Sequence, residues 1–184
     1  IGGFTIGAGR TFVVAELSAN HGGSFDVAAR TIRAMHAAGA DAVKLQTYTP
    51  DSLALDCDNA YFAPKRDGIW KGRRGYELFQ EAMTPWEWQG ELKRLAEALG
   101  MVCFSSPFDA AGVDFLAGLD VPAYKIASFE ITDIPLIERC AAQGRPVVIS
   151  TGVALPEDIV AALAACRGVG NEAVMLLKCV SAYP

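Results

Sequence analysis

The chain has 184 residues, 52% of them hydrophobic and 20% charged, which fits one domain with a large core and excludes a disordered segment. Its 21 acidic and 16 basic residues leave a net charge of −5, which excludes a generic nucleic-acid surface but not an anionic small molecule met by a local lysine cluster. No apolar run reaches the ~18 residues of a membrane span, and the first residues lack the order of a secretion signal. The five cysteines (Cys57, Cys103, Cys140, Cys166, Cys179) form no Cys-x-x-Cys pair. Buried free thiols in a reducing cytoplasm are expected, with no membrane partner. The chain opens on Ile1 rather than Met, so a processed or longer parent is expected.

In chain order, an apolar run at 12–15 precedes a helix over 25–38 that Gly39 ends. A second run at 42–45 leads into a long polar stretch, 49–83, which reads as irregular and, at that length, as an active-site lid. Thr84 as N-cap and Pro85 at the first helical position predict a helix to Leu99, stopped by Gly100. Runs at 102–104, 124–127, 146–149 and 174–177 alternate with helices over 110–116, 134–142 and 157–166. These six strand–helix beats, the last without its helix, have continuously apolar strands, as parallel strands buried on both faces do. The alternation predicts either a doubly wound sheet or a (β/α)8 barrel. No Gly-x-Gly-x-x-Gly succeeds the first strand, which weighs against a dinucleotide-binding sheet.

Every apolar run ends in polar residues. Strand one ends in Glu16, Ser18, Asn20 and His21; strand two carries Lys44 and Gln46; strand three ends in Ser105 and Ser106. Strand four carries Lys125 and ends in Ser128 and Glu130, strand five ends in Ser150, and strand six carries Lys178 and ends in Ser181 and Tyr183. In a parallel barrel these ends share one face, where barrel active sites lie. A lysine inside apolar strand sequence needs a partner. Lys44 and Lys125 with Ser106, Ser128 and Ser150 make a pocket for a phosphate and a carboxylate. The competing reading pairs a strand lysine with Glu16 or Glu130 as a buried ion pair. His21 fits a structural role as well as a substrate contact, Tyr48 and Tyr183 fit rim packing as well as binding, and Trp70, Trp86 and Trp88 fit packing better than sugar platforms. With two histidines and no close ligand pattern, the ligands of any divalent ion are expected mainly elsewhere.

The segments 15–21, 43–46, 105–109, 124–132 and 149–152, in this order and covering essentially the whole chain, resemble the sialic acid synthase family. Glu16-Leu17-Ser18-Ala19-Asn20-His21, Gln46-Thr47-Tyr48-Thr49-Pro50, Thr84-Pro85-Trp86-Glu87-Trp88 and Ser128-Phe129-Glu130 are most similar to its pseudaminic acid synthase branch. N-acetylneuraminate synthases more often carry Glu-Ile-Gly-x-Asn-His and Ser-Gly-Glu at the first and last of these.

The resemblance implies a (β/α)8 barrel followed by a small antifreeze-like domain that reaches over the partner's active site in a homodimer. It implies an enzyme in which C3 of phosphoenolpyruvate (PEP) attacks the aldehyde of an open-chain N-acetylated amino sugar, water adds at C2, and phosphate leaves by C–O cleavage. A divalent ion, manganese or magnesium, polarises the aldehyde in that family. Carried over by position, Lys44, Ser106, Lys125, Ser128 and Ser150 hold PEP. Glu16 lies near the reacting carbons, Lys44 and Lys125 also act in catalysis by meeting the charge that develops as phosphate departs, and Gln46, Ser181 and Tyr183 face the sugar. Ser181 falls near a position where neuraminate synthases have Asn. The sugar expected is the 6-deoxy diacetamido hexose leading to pseudaminic acid, with N-acetylmannosamine as the alternative. A non-catalytic sugar-phosphate-binding module is the alternative of another class. About six βα units are present in residues 1–184, so the last strands and the antifreeze-like domain are expected outside the chain, and the isolated segment is expected to be inactive.

Overall fold

The computed structural model of the chain describes residues 1–7, 9–57, 59–65 and 67–180. Six strands form one parallel sheet: β1 (Val14–Glu16), β2 (Ala42–Thr47), β3 (Val102–Pro107), β4 (Tyr124–Ile126), β5 (Val147–Ser150) and β6 (Val174–Leu177). Their spatial order equals their chain order. A doubly wound sheet reverses direction at a switch point. Here every crossover advances the same way, so the helices lie on one face and the other face curves inward, giving a partial (β/α)8 barrel. The helices are α1 (Phe25–Ala37), α2 (Pro50–Leu53), α3 (Gly75–Ala82), α4 (Trp86–Ala98), α5 (Ala110–Gly118), α6 (Ile134–Ala141) and α7 (Pro156–Gly168).

Alternation along each strand divides its side chains between two cores. Outward, Val43, Leu45 and Cys103 pack with Ile32, Leu92 and Ala96 of α1 and α4. Tyr124, Ile126, Val147 and Ile149 pack with Leu116, Ile137 and Cys166 of α5, α6 and α7. Inward, Ala42, Val102, Phe104 and Ala123 meet Ile1, Phe4 and Phe12, so the amino-terminal segment fills the amino end of the barrel. Arg10 anchors that segment through two hydrogen bonds to Asp41, at 2.9 and 2.6 Å. The middle strands are buried except at Gln46 of β2, whereas the edge strands β1 and β6 are partly exposed, against the expectation of uniform double-sided burial.

Local chemistry sets the helix starts. Ser24, Asp109 and Asp133 accept from the backbone N–H groups of Val27, Gly112 and Leu136, capping α1, α5 and α6. Such caps contribute about 1 kcal/mol each. Gly112 sits at a close approach, since a Cβ there would lie 3.1 Å from the Thr47 carbonyl oxygen and crowd it. Three expectations are corrected. Thr84 does not cap α4: Pro85 holds that place, because the Thr84 hydroxyl is turned toward His21. The stretch 49–83 is not wholly irregular, since α2 and α3 form within it around half-buried apolar residues. Lys178 lies one residue past β6 and is exposed, so strand six does not carry it.

Candidate active site

The strand register decides which polar side chains converge. Glu16 pairs with Lys44, and Gln46 pairs with Ser106, so each pair projects to the same side of the sheet. Ser105 pairs with Tyr124 on the outward side, which turns the next residues, Ser106 and Lys125, inward. Lys125 pairs with Val148, two residues before Ser150. An inward cavity of about 600 Å³ is lined by Glu16, Lys44 and Lys125 over Phe104, Val148 and Met175, and by Ile6, Arg10 and Phe12 of the amino-terminal segment. Ser106 and Ser150 lie on the same side of the sheet but, like Ser128, outside this lining.

The two lysines are held differently. Lys44 is 6% exposed, with Nζ 3.4 Å from Glu16 Oε1, so the pair forms, but not as a buried ion pair, since the Glu16 side chain is 55% exposed. Burial lowers the pKa of Lys44 and the Glu16 carboxylate opposes the shift. Lys125 is equally buried, but its hydrogen bonds go to neutral oxygens: Nζ donates to the Ile126 carbonyl at 2.6 Å and to Ser150 Oγ at 2.5 Å. Burial, reinforced by the charge on Lys44, lowers its pKa to about 8. Glu130 does not bond to it. That carboxyl is itself pushed upward by burial, and its Oε2 has no hydrogen-bond partner.

Ser106 is 1% exposed and its hydroxyl also has no partner. A buried polar atom left unpaired costs roughly 1–3 kcal/mol. The unpaired Ser106 hydroxyl is what a pocket awaiting an acceptor would show. Ser128 lies on a 3-10 turn (Ser128–Thr132) after β4, where its Oγ accepts from the Gly152 N–H at 3.3 Å. The turn thereby ties the ends of β4 and β5 together. Gln46 is half-buried at the end of β2. Ser181 and Tyr183 lie outside the described residues.

His21 is structural. Its Nδ1 accepts from the Gly23 N–H at 3.1 Å, which leaves the proton on Nε2, 3.2 Å from Thr84 Oγ1. Its ring packs edge-on against Trp88, and burial lowers its pKa, so it is neutral near pH 7. Tyr48 is rim packing between Phe79 and Phe108. Trp86 stacks on Phe115 and donates to the Tyr48 carbonyl at 3.1 Å, Trp88 also meets Phe25, and Trp70 is half-exposed. A buttress behind β2 carries little sequence signal. Gln89 Oε1 accepts from Thr47 Oγ1 at 2.7 Å, Gln89 Nε2 donates to the Gln46 carbonyl at 3.2 Å, and Thr47 shares a hydrogen with Ser105 Oγ at 2.7 Å. Gln89 could have been found only as a lone amide on the apolar stripe of α4.

Among the described residues no three His, Cys, Asp or Glu side chains come together as a metal site. Both nitrogens of the buried histidine are engaged. This donor set does not by itself fit a catalytic divalent ion.

A pseudaminic acid synthase from Campylobacter jejuni is 44% identical over 175 residues, covering 95% of this chain and 51% of that enzyme. A pseudaminic acid synthase from Helicobacter pylori is 45% identical over 172 residues, covering 94% and 50%. The crystal structure of an N-acetylneuraminic acid (sialic acid) synthetase from Leptospira borgpetersenii serovar Hardjo-bovis, in complex with citrate, superposes with a TM-score of 0.82 at 28% identity, covering 98% of this chain and 60% of that one. The chain spans about half the length of the curated relatives it matches. Residues 31–184 match the NeuB family, so the inward lysines and serines stand in a barrel of known kind: this chain belongs to the NeuB family.

Proposed function

We propose that this chain forms the PEP-binding face of a nonulosonic acid synthase, which joins PEP to an N-acetylated amino sugar and releases phosphate. The observation that carries the reading is the register that turns two buried lysines, Lys44 and Lys125, and the unpartnered Ser106 hydroxyl to the same inward side of a parallel barrel. Lys44, Lys125, Ser106, Ser128 and Ser150 hold the phosphate and carboxylate of PEP. The lysine charges are fixed before reaction and largely out of water, so they stabilise the negative charge that grows on the departing phosphate without reorganising. Glu16, held beside Lys44, moves a proton or steers water at the reacting carbons. Gln46, Ser181 and Tyr183 face the sugar.

The 44–45% identities to two pseudaminic acid synthases support a 6-deoxy diacetamido hexose as the sugar. The donors for a divalent ion, and the strands that complete the barrel, belong to the part of the relatives' length outside this chain. Residues 1–184 alone are then inactive. The full-length protein works as a cytoplasmic homodimer. Titrating PEP into it and into a Lys44→Met variant tests the pocket. A charged hydrogen bond is worth about 1.5–3 kcal/mol, so the variant should bind PEP roughly 10- to 150-fold more weakly. Equal affinity would remove Lys44 from the pocket.

A further inference from the structure

Lys125 has a chemistry that anion binding does not use. Lys125 lines the cavity, and both of its hydrogen-bond partners are neutral. After burial, the largest influence on it is a second cation, Lys44. A lysine desolvated beside another cation is activated as a nucleophile, because part of it is neutral at ordinary pH. With its pKa lowered to about 8, roughly a quarter of Lys125 is unprotonated at pH 7.5, against roughly one part in a thousand at the ordinary 10.5. Lys44, by contrast, is paired with Glu16, whose charge favours its protonated form, and Lys93 is paired with Glu97 at 2.7 Å. Lys65, Lys71 and Lys178 are exposed and do not face the cavity.

We propose that Lys125 is a carbonyl-capturing lysine, which takes small phosphate-bearing aldehydes into the cavity as reversible imines. The phosphate is met by Lys44, which lines the same cavity, with the unpartnered Ser106 hydroxyl on the same inward side of the sheet, which leaves the aldehyde carbon for Lys125 Nζ. The neutral amine attacks that carbon, forming the C–N bond as the carbonyl electron pair moves to oxygen. The nitrogen gives up two protons in all, the oxygen gains two, and water leaves as the C=N bond forms. The Ser150 hydroxyl, 2.5 Å from Nζ, relays the protons. Amine plus aldehyde gives imine plus water, with no oxidant or reductant. This capture does not depend on the synthase reading, since it needs only the cavity and its two lysines.

The test is labelling of the full-length protein with limiting pyridoxal 5′-phosphate at pH 7.5, trapping with borohydride, and peptide mapping. The expected result is a reduced adduct at Lys125 at least about tenfold above any other lysine, protection by inorganic phosphate, and loss of that adduct alone in Lys125→Arg. A Lys44→Met variant should lower labelling of Lys125 without moving it elsewhere. Label spread over Lys65, Lys71 and Lys178, label centred on Lys44, or labelling of Lys125 that phosphate does not reduce would each overturn the proposal. If Lys125→Arg loses its native circular dichroism, the phosphate-protection arm on the unaltered protein decides alone.

Discussion

At Lys125 binding and stability pull in opposite directions. Its folded pKa of about 8 lies below the ordinary 10.5, so the fold disfavours the charged form. The penalty is present in full below about pH 8 and is lifted as pH rises toward 10.5, where the unfolded chain also loses the proton. Without an anion, Lys125→Met should therefore raise the thermal midpoint by about 2–4 °C, the shift that ~1 kcal/mol gives a domain of this size; calorimetry in phosphate-free buffer checks it. The same charge is what the anion uses, so PEP affinity should fall as pH rises through about 8, and a flat profile from pH 7 to 9.5 would contradict the role given to Lys125. Lys125→Ala should raise the KM for PEP at least about tenfold while leaving the KM for the sugar within about twofold, read from initial rates. Both lysines were legible in the sequence because a charge inside an apolar strand is anomalous. The difference between them was not, since only the register shows that Glu16 reaches Lys44 and that Lys125 has neutral partners.

Elements behind the site carry its precision. The Gln89 amide joins α4 to the end of β2 through Thr47 Oγ1 and the Gln46 carbonyl, and Trp86 holds the carbonyl of Tyr48. Gln89→Leu removes the bonds to Thr47 Oγ1 and the Gln46 carbonyl from a buried site and should lower unfolding free energy by about 1–3 kcal/mol in a urea titration. The segment 49–83 runs from the end of β2 to the start of α4 and presents exposed Tyr61, Ile69 and Trp70. Exchanging it for the equivalent segment of an N-acetylneuraminate synthase should shift sugar preference while leaving the PEP response unchanged; an unshifted preference, in competition assays, would take the segment out of specificity. Helices over 25–38 and 134–142 were legible from their stripes and terminal glycines. The helices α2 and α3 were not: the four residues of α2 are too few to show a period, and α3, as long as α6, lacks a side-chain cap hydrogen bond and ends at Met83 rather than at a glycine.

For the whole molecule, the sequential strand order, unlike any periodicity, separates a barrel from an open sheet. The sequence reached the barrel only through motifs at its strand ends, since the βα alternation allowed both. Those ends bring two lysines and three serines, drawn from four strands and their loops, to one side of one sheet. The side chains of Ser181 and Tyr183 remain assigned by resemblance alone. The most direct measurement is phosphate release from PEP by the full-length protein with manganese, offered a 6-deoxy diacetamido hexose and N-acetylmannosamine in parallel. Release with the first sugar and little with the second is the predicted result. Release with N-acetylmannosamine as the better substrate would contradict the sugar assignment, and no release with either, from folded and metal-loaded protein, would contradict the synthase reading itself.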